Sequence, residues 1–293
     1  MPIASLPYVH VDVFSPLPYG GNSLAVFPDA RGLTGDQMLR ITQELRHFET
    51  IFLESTRDDG TVPARVFDLH EELPFAGHPI IGAAGVLHRA CGNPNSASHR
   101  FALGERVVEV KTETSVAGAS SVRGTLDQGR PIFGAEVMER LAFAEALSLT
   151  IEDLDPVLPL AVISTGLRYL VVPVKAGVLA RARIAKDLGP ILAPYGADYA
   201  VLLDEVACEV RHWENDGNLE DIATGSAAGC IGAYRLRYSR AIPHQTFTLA
   251  QGRFAGRPSA LEVTPHGTSD NVERVEVGGD IAFVGSGTLD VLP

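Results

Sequence analysis

Two short glycine motifs, one in each half of the chain, constrain its fold more than any other feature. The first is Phe75-Ala76-Gly77-His78-Pro79, leading into Ile80-Ile81-Gly82-Ala83-Ala84-Gly85-Val86-Leu87. The second is Ile222-Ala223-Thr224-Gly225-Ser226-Ala227, leading into Ala228-Gly229-Cys230-Ile231-Gly232-Ala233. Superimposing Gly77 on Gly225, 148 positions later, sets His78 on Ser226 and one small-residue apolar helix on the other. A repeat at half the chain length predicts two similar domains. Each would present a helix N-terminus, where unpaired N–H groups and the helix dipole favour an anion. Two such termini facing across a cleft would grip a small acidic molecule from both sides.

The 293 residues suit two ordinary domains. We place the boundary near residue 130, giving 1–130 and 131–293, with the terminal strand free to cross between them. A hydrophobic content of 45% with 20% charged residues is that of a globular protein with a sizeable core. The net charge of −12 argues against nucleic acid and against an anionic membrane surface. No apolar run approaches the roughly eighteen residues of a membrane span. The start, Met1-Pro2-Ile3-Ala4-Ser5, does not read as a signal peptide. The three cysteines, Cys91, Cys208 and Cys230, show neither a disulfide framework nor metal spacing. A cytoplasmic location and no metal are therefore expected.

Periodicity places strands at Tyr8–Phe14, Ser23–Phe27, Ile51–Leu53, Ala64–Phe67, Arg106–Thr112 and Ser120–Leu126. Thr34 and Gln37 form a capping box that opens a helix through Arg46. In the second half a helix is expected near Glu136–Leu147, with strands at Ala161–Ser164, Tyr169–Val174, Tyr199–Leu203 and Cys208–Trp213. Ala260–Val263 and Val275–Val277 continue the β-rich tail. Strands with one apolar helix per half predict an α+β fold, each sheet or barrel wrapped around its helix. Glycine inside a helix costs about 1 kcal/mol against alanine. Strands pressed close to the helix backbone would explain that composition.

At these motifs the chain resembles the PhzF-like isomerases, relatives of diaminopimelate epimerase. Asp12-Val13-Phe14 with Gly21-Asn22 looks like the family's opening, and Phe48-Glu49-Thr50 like its Ser-Glu-Thr segment. Glu72-Leu73-Pro74-Phe75-Ala76-Gly77-His78-Pro79 is the most specific match. Glu220-Asp221, Gln251-Gly252 and Val277-Gly278-Gly279 follow in the expected order. Three places depart from the pattern. Asp221-Ile222-Ala223 stands where Asp-Pro-Val is usual, and Gly21-Asn22-Ser23 where Gly-Asn-Pro is usual. The segment Arg211–Asp216 lacks the usual Phe-Ala-Pro.

The resemblance implies a diaminopimelate epimerase-like pair of domains, no cofactor and a homodimer. The epimerases' two cysteines would fall at Ala76 and Thr224, so a two-thiol racemisation is not expected. Instead the resemblance makes Glu49 the proton carrier, acting with His78 and Asp221. Asn22, Gly77, Gly225 and Ser226 would contact a small carboxylic acid substrate. Read alone, Glu49 is equally a solvated carboxylate at a helix end, with an ordinary pKa of about 4.3 unless burial raises it. Alone, His78 is a capping residue whose ring the helix dipole keeps neutral, Asp221 a turn cap and Ser226 an N-cap. The expected activity is a proton-shifting isomerisation of dihydro-hydroxyanthranilate type. The alternatives are a non-catalytic acid-binding protein and a single-base amino-acid epimerase or racemase.

Overall fold

The computed structural model describes residues 5–115 and 122–293. Met1–Ala4, and Ser120 and Ser121 of one expected strand, lie outside the described residues. The chain divides into two compact units: residues up to Asp127 together with Gly278–Pro293, and Gln128–Val277.

The first unit begins with β1 (Leu6–Val13), β2 (Asn22–Phe27), α1 (Gly35–Leu45), β3 (Glu49–Leu53) and β4 (Thr61–Phe67). The two-residue strand β5 (Glu72–Leu73) leads into α2 (Gly77–Ala90), followed by β6 (Ser96–Leu103), β7 (Arg106–Thr114) and β8 (Val122–Asp127). The second unit contains β9 (Ile132–Val137), α3 (Arg140–Ala146), β10 (Leu160–Ser164), β11 (Arg168–Val174), α4 (Gly189–Leu192), β12 (Tyr199–Asp204) and β13 (Glu209–Trp213). The short β14 (Glu220–Asp221) leads into α5 (Gly225–Arg237), then β15 (Phe247–Gln251) and β16 (Ser259–Gly267). The long β17 (Val272–Leu289) contributes residues to both units.

The repeat seen in the glycine motifs extends to strand pairing. In the first unit β1/β2 is antiparallel, β2/β3 parallel, β3/β4 antiparallel, β4/β6 parallel and β6/β7 antiparallel. The second unit runs the same series through β10/β11, β11/β12, β12/β13, β13/β15 and β15/β16. In the first unit β17 pairs with both β1 and β8, which closes an eight-stranded barrel. The fold is α+β, as the composition and periodicity predict.

Helix α2 is the barrel's filling, packed on β1, β2, β3, β6, β7 and β8 and buried along nearly its whole length. A Cβ on Gly82 would stand 2.4 Å from Leu24 Cδ2 and 2.9 Å from Val13 Cγ2, so the strands do approach the helix axis too closely for a side chain. Helix α5 packs likewise on β10, β11 and β16. Helix α1 lies on the other face of the first sheet, where Met38 and Ile41 join Phe27 and Phe52, two rings stacked at 4.8 Å. Its capping box is formed, with Gln37 N donating to Thr34 Oγ1 and Thr34 N to Gln37 Oε1. Arg46 closes it in the left-handed conformation.

Two segments correct the periodicity reading. The helix expected from Glu136 begins only at Arg140, because Ile132–Val137 is a strand paired with β10. β6 was not expected at all. Its polar start, Ser96-Ala97-Ser98-His99-Arg100, is held as strand by pairing with β7 and β4.

Candidate active site

Glu49 is the first residue of β3, not a helix-end carboxylate, and only 7% of it is exposed. The parallel register sets Glu49 beside Leu24, so Asn22, two residues earlier on β2, presents the same face. That face meets α2, whose second residue is His78. His78 Nδ1 lies 3.2 Å from Glu49 Oε2 and 3.5 Å from Asn22 Nδ2. Side chains from β2 and β3 thus converge on one ring nitrogen of α2. When Nδ1 carries a proton it faces the carboxylate; when it carries a lone pair it can accept from the Asn22 amide. Proton position and carboxylate charge are therefore linked.

No side chain caps α2, whose N-cap position is Ala76. The backbone N–H groups of its first turn are accordingly left to other partners, and Gly77 lets a ligand come close. Among the described residues, no group of three or more His, Cys, Asp or Glu side chains is arranged to hold a metal ion.

The second unit repeats the frame with different chemistry. Asp221 is buried at the end of β14, and its Oδ2 accepts from Thr224 Oγ1 at 2.6 Å. Gln251 braces the same turn: its Oε1 accepts from Thr224 N, and its Nε2 donates to Asp221 O and Thr224 Oγ1. Thr224 occupies the N-cap position without a side-chain cap bond. Ser226 lies inside the helix, its Oγ 2.8 Å from Tyr169 OH. Burial pushes the Tyr169 phenol well above its usual pKa, so it stays protonated. Gln128 Nε2 donates to Gly225 O, while its Oε1 accepts from Thr165 Oγ1. A Cβ on Gly229 would stand 2.0 Å from Gln128 Oε1, so only glycine admits this brace.

Sequence reasoning grouped Glu49 and His78 with Asp221 as catalytic, and Asn22 with Gly77, Gly225 and Ser226 as substrate contacts; the structure brings Glu49, His78 and Asn22 together in the first unit. Asp221, Gly225 and Ser226 form the corresponding cluster of the second unit. It missed Tyr169, Thr165 and Gln128, isolated residues on or beside strands with no local motif. The Gln251-Gly252 pair was the one signal that could have drawn attention to Gln251. Cys230 donates to Ile163 O, and burial pushes its thiol up to about 12. It is a packed neutral group.

The architecture is that of the epimerase-like fold. The chain belongs to the phenazine biosynthesis-like family, PhzC-PhzF, whose model matches residues 11–287. The trans-2,3-dihydro-3-hydroxyanthranilate isomerase of Pseudomonas chlororaphis is 30% identical over 288 residues, covering 96% of this chain and 98% of that protein. A solved structure described as a predicted epimerase from Pseudomonas aeruginosa is 42% identical, with a TM-score of 0.90 over 97% of this chain and 99% of that one. The PhzF-family protein of Bacillus anthracis shares the fold at a TM-score of 0.84 and 22% identity, over 98% and 99% of the two chains. The protein is an isomerase.

Proposed function

We propose that this isomerase needs no cofactor and moves a proton within a small carboxylic acid, with Glu49 as the carrier. The observation that carries the reading is the buried carboxylate 3.2 Å from the His78 ring at the uncapped start of α2. Glu49 takes a proton from a carbon next to a carbonyl or alkene. The bonding electrons enter the π-system, and the Glu49 carboxyl, once it has exchanged with solvent, delivers one proton to another carbon of that system, so nothing is gained or lost overall. His78 and Asn22 orient the carboxylate and offer hydrogen bonds to a substrate oxygen. The N–H groups at Gly77 stabilise negative charge as the C–H bond breaks. In the second unit Gly225 and Ser226 are assigned substrate contact, and Asp221 holds Thr224 in place beside them.

The first substrate to test is trans-2,3-dihydro-3-hydroxyanthranilate, the compound named for the Pseudomonas chlororaphis relative. Run in D2O, turnover should place deuterium on the product carbon. Glu49→Gln should lower turnover about 10⁴-fold, the upper end for general acid–base groups, while ligand binding survives. Near-normal turnover and exchange in Glu49→Gln would remove Glu49 from the mechanism. The description of the 42%-identical structure as an epimerase keeps a second reading open. Single-base epimerisation would retain Glu49 but return the proton to the same carbon. Loss of optical rotation across an amino-acid panel supports that reading, and a shifted double bond supports the first.

A further inference from the structure

The far end of α2 holds a feature that proton transfer does not use. Beside its last turn the first unit is hollowed into a cavity of about 480 Å³. Val9, Pro28, Leu87, Ala90 and Phe283 are among its walls, which are apolar apart from Arg89 and one serine. The Arg89 guanidinium lies over the Phe283 ring, 4.4 Å from its centroid. Elsewhere in this unit Arg31, Arg65 and Arg123 each pair with a carboxylate. Among the described residues no carboxylate pairs with Arg89.

We propose that this cavity binds a small amphiphilic carboxylate, an aromatic or short acyl acid. Its apolar body would lie among Val9, Pro28 and Leu87, with its carboxylate on Arg89. The volume lies within the range of small-molecule sites, about 300–1,000 Å³, which are typically apolar with a few polar groups that fix orientation. A guanidinium presents a planar fork that matches a carboxylate in a two-bond geometry. Stacking on Phe283 holds that fork in place before the ligand arrives, which limits the ordering cost of binding. Inorganic phosphate fits poorly, because its hydrated charge gains nothing from apolar walls. The site is separate from Glu49 and His78. His78 and Arg89 stand eleven positions apart on α2, about 16 Å of helix, so one ligand of this size cannot reach both.

The probe is 2-naphthoate, titrated calorimetrically into the intact protein beside its neutral analogue 2-naphthalenemethanol. Saturable binding with a Kd of about 1 mM or tighter is expected. Arg89→Met should weaken it about tenfold or more, and the neutral analogue should bind the unmodified protein correspondingly weakly. Ala90→Trp, at an exposed position on the cavity wall, should block binding without disturbing the core. His78→Ala, which removes a proposed substrate contact at the other end of α2, should leave binding unchanged. The proposal is overturned if no saturable binding occurs, or if Arg89→Met and Ala90→Trp both bind as the parent does. Equal binding of acid and alcohol would reduce the cavity to an apolar patch. Loss of binding in His78→Ala would move the ligand to the other end of α2.

Discussion

Acid should weaken this protein well before its carboxylates titrate, because three histidines are held neutral by burial. His212 is buried in the second unit, where its Nδ1 donates to Ala200 O at 2.9 Å. Its ring meets Tyr169 and Tyr199 edge-on. Burial lowers its pKa, against the opposite pull of Asp221 and Glu220. Burial likewise lowers His88 and His99 in the first unit, and each also feels its surroundings: Pro94 O opposes the shift at His88, and His88 deepens it at His99. An unfolded histidine titrates near pH 6.5. Between that pH and the lowered folded value, the unfolded chain holds protons that the folded chain does not. Stability is therefore complete above about pH 6.5 and is lost as the pH falls. A histidine that stays neutral throughout costs about 1.4 kcal/mol between pH 7.5 and 5.5. That is the upper limit for each of the three, and partly exposed His99 falls short of it, so together they cost at most about 3–4 kcal/mol. That is a large part of a typical 5–15 kcal/mol. The sole tryptophan, Trp213, is buried next to His212 and reports urea unfolding by its fluorescence. His212→Asn, which can keep a donor to Ala200 O, should reduce the pH dependence by up to about 1.4 kcal/mol. An unfolding free energy that changes by less than about 0.5 kcal/mol between the two pH values would refute the reasoning.

The remaining expectations concern packing and chemistry. Alkylation at pH 8 should modify exposed Cys91 first and spare Cys230, with isomerase turnover largely intact; stoichiometric loss of turnover on labelling one cysteine of a folded sample would contradict a carboxylate mechanism. Gly82→Ala should destabilise by about 1–3 kcal/mol through overpacking, although helix propensity alone favours the change, and a raised urea midpoint would show that the strands can give way. Gln251→Met strands Thr224 N and Asp221 O, while Thr224 Oγ1 keeps its bond to Asp221, and should cost about 2–3 kcal/mol in the same assay. A cost under about 0.5 kcal/mol would mean that water replaces the amide.

The parts of the fold visible in the sequence are those with strong local patterns. The glycine motifs located α2 and α5, and the Thr34–Gln37 pair located α1. β9 escaped because five of its six residues are exposed and no alternation marks it. β6 escaped because its first half is polar and takes its shape from its neighbours. The same division holds at the candidate site. His78 belongs to a motif and is visible. That Asn22 and Glu49 share a face follows from the parallel register of β2 and β3, which no local pattern encodes. Tyr169 reaches Ser226 from a strand 57 positions away, and nothing in either segment announces the contact.

The brace supplied by Gln251 changes where mutational constraint falls along the chain. In the usual Asp-Pro-Val turn, proline itself restricts the backbone. Here the turn carries Ile222 and Ala223, and its shape is maintained by an amide contributed 27 positions after Thr224. Ala223 is fully buried and remains limited in size, whereas Ile222 keeps a partly exposed side chain. In a saturation library position 222 should accept many residues and position 251 almost none. The turn's tolerance to substitution is then a property of a strand distant in the sequence.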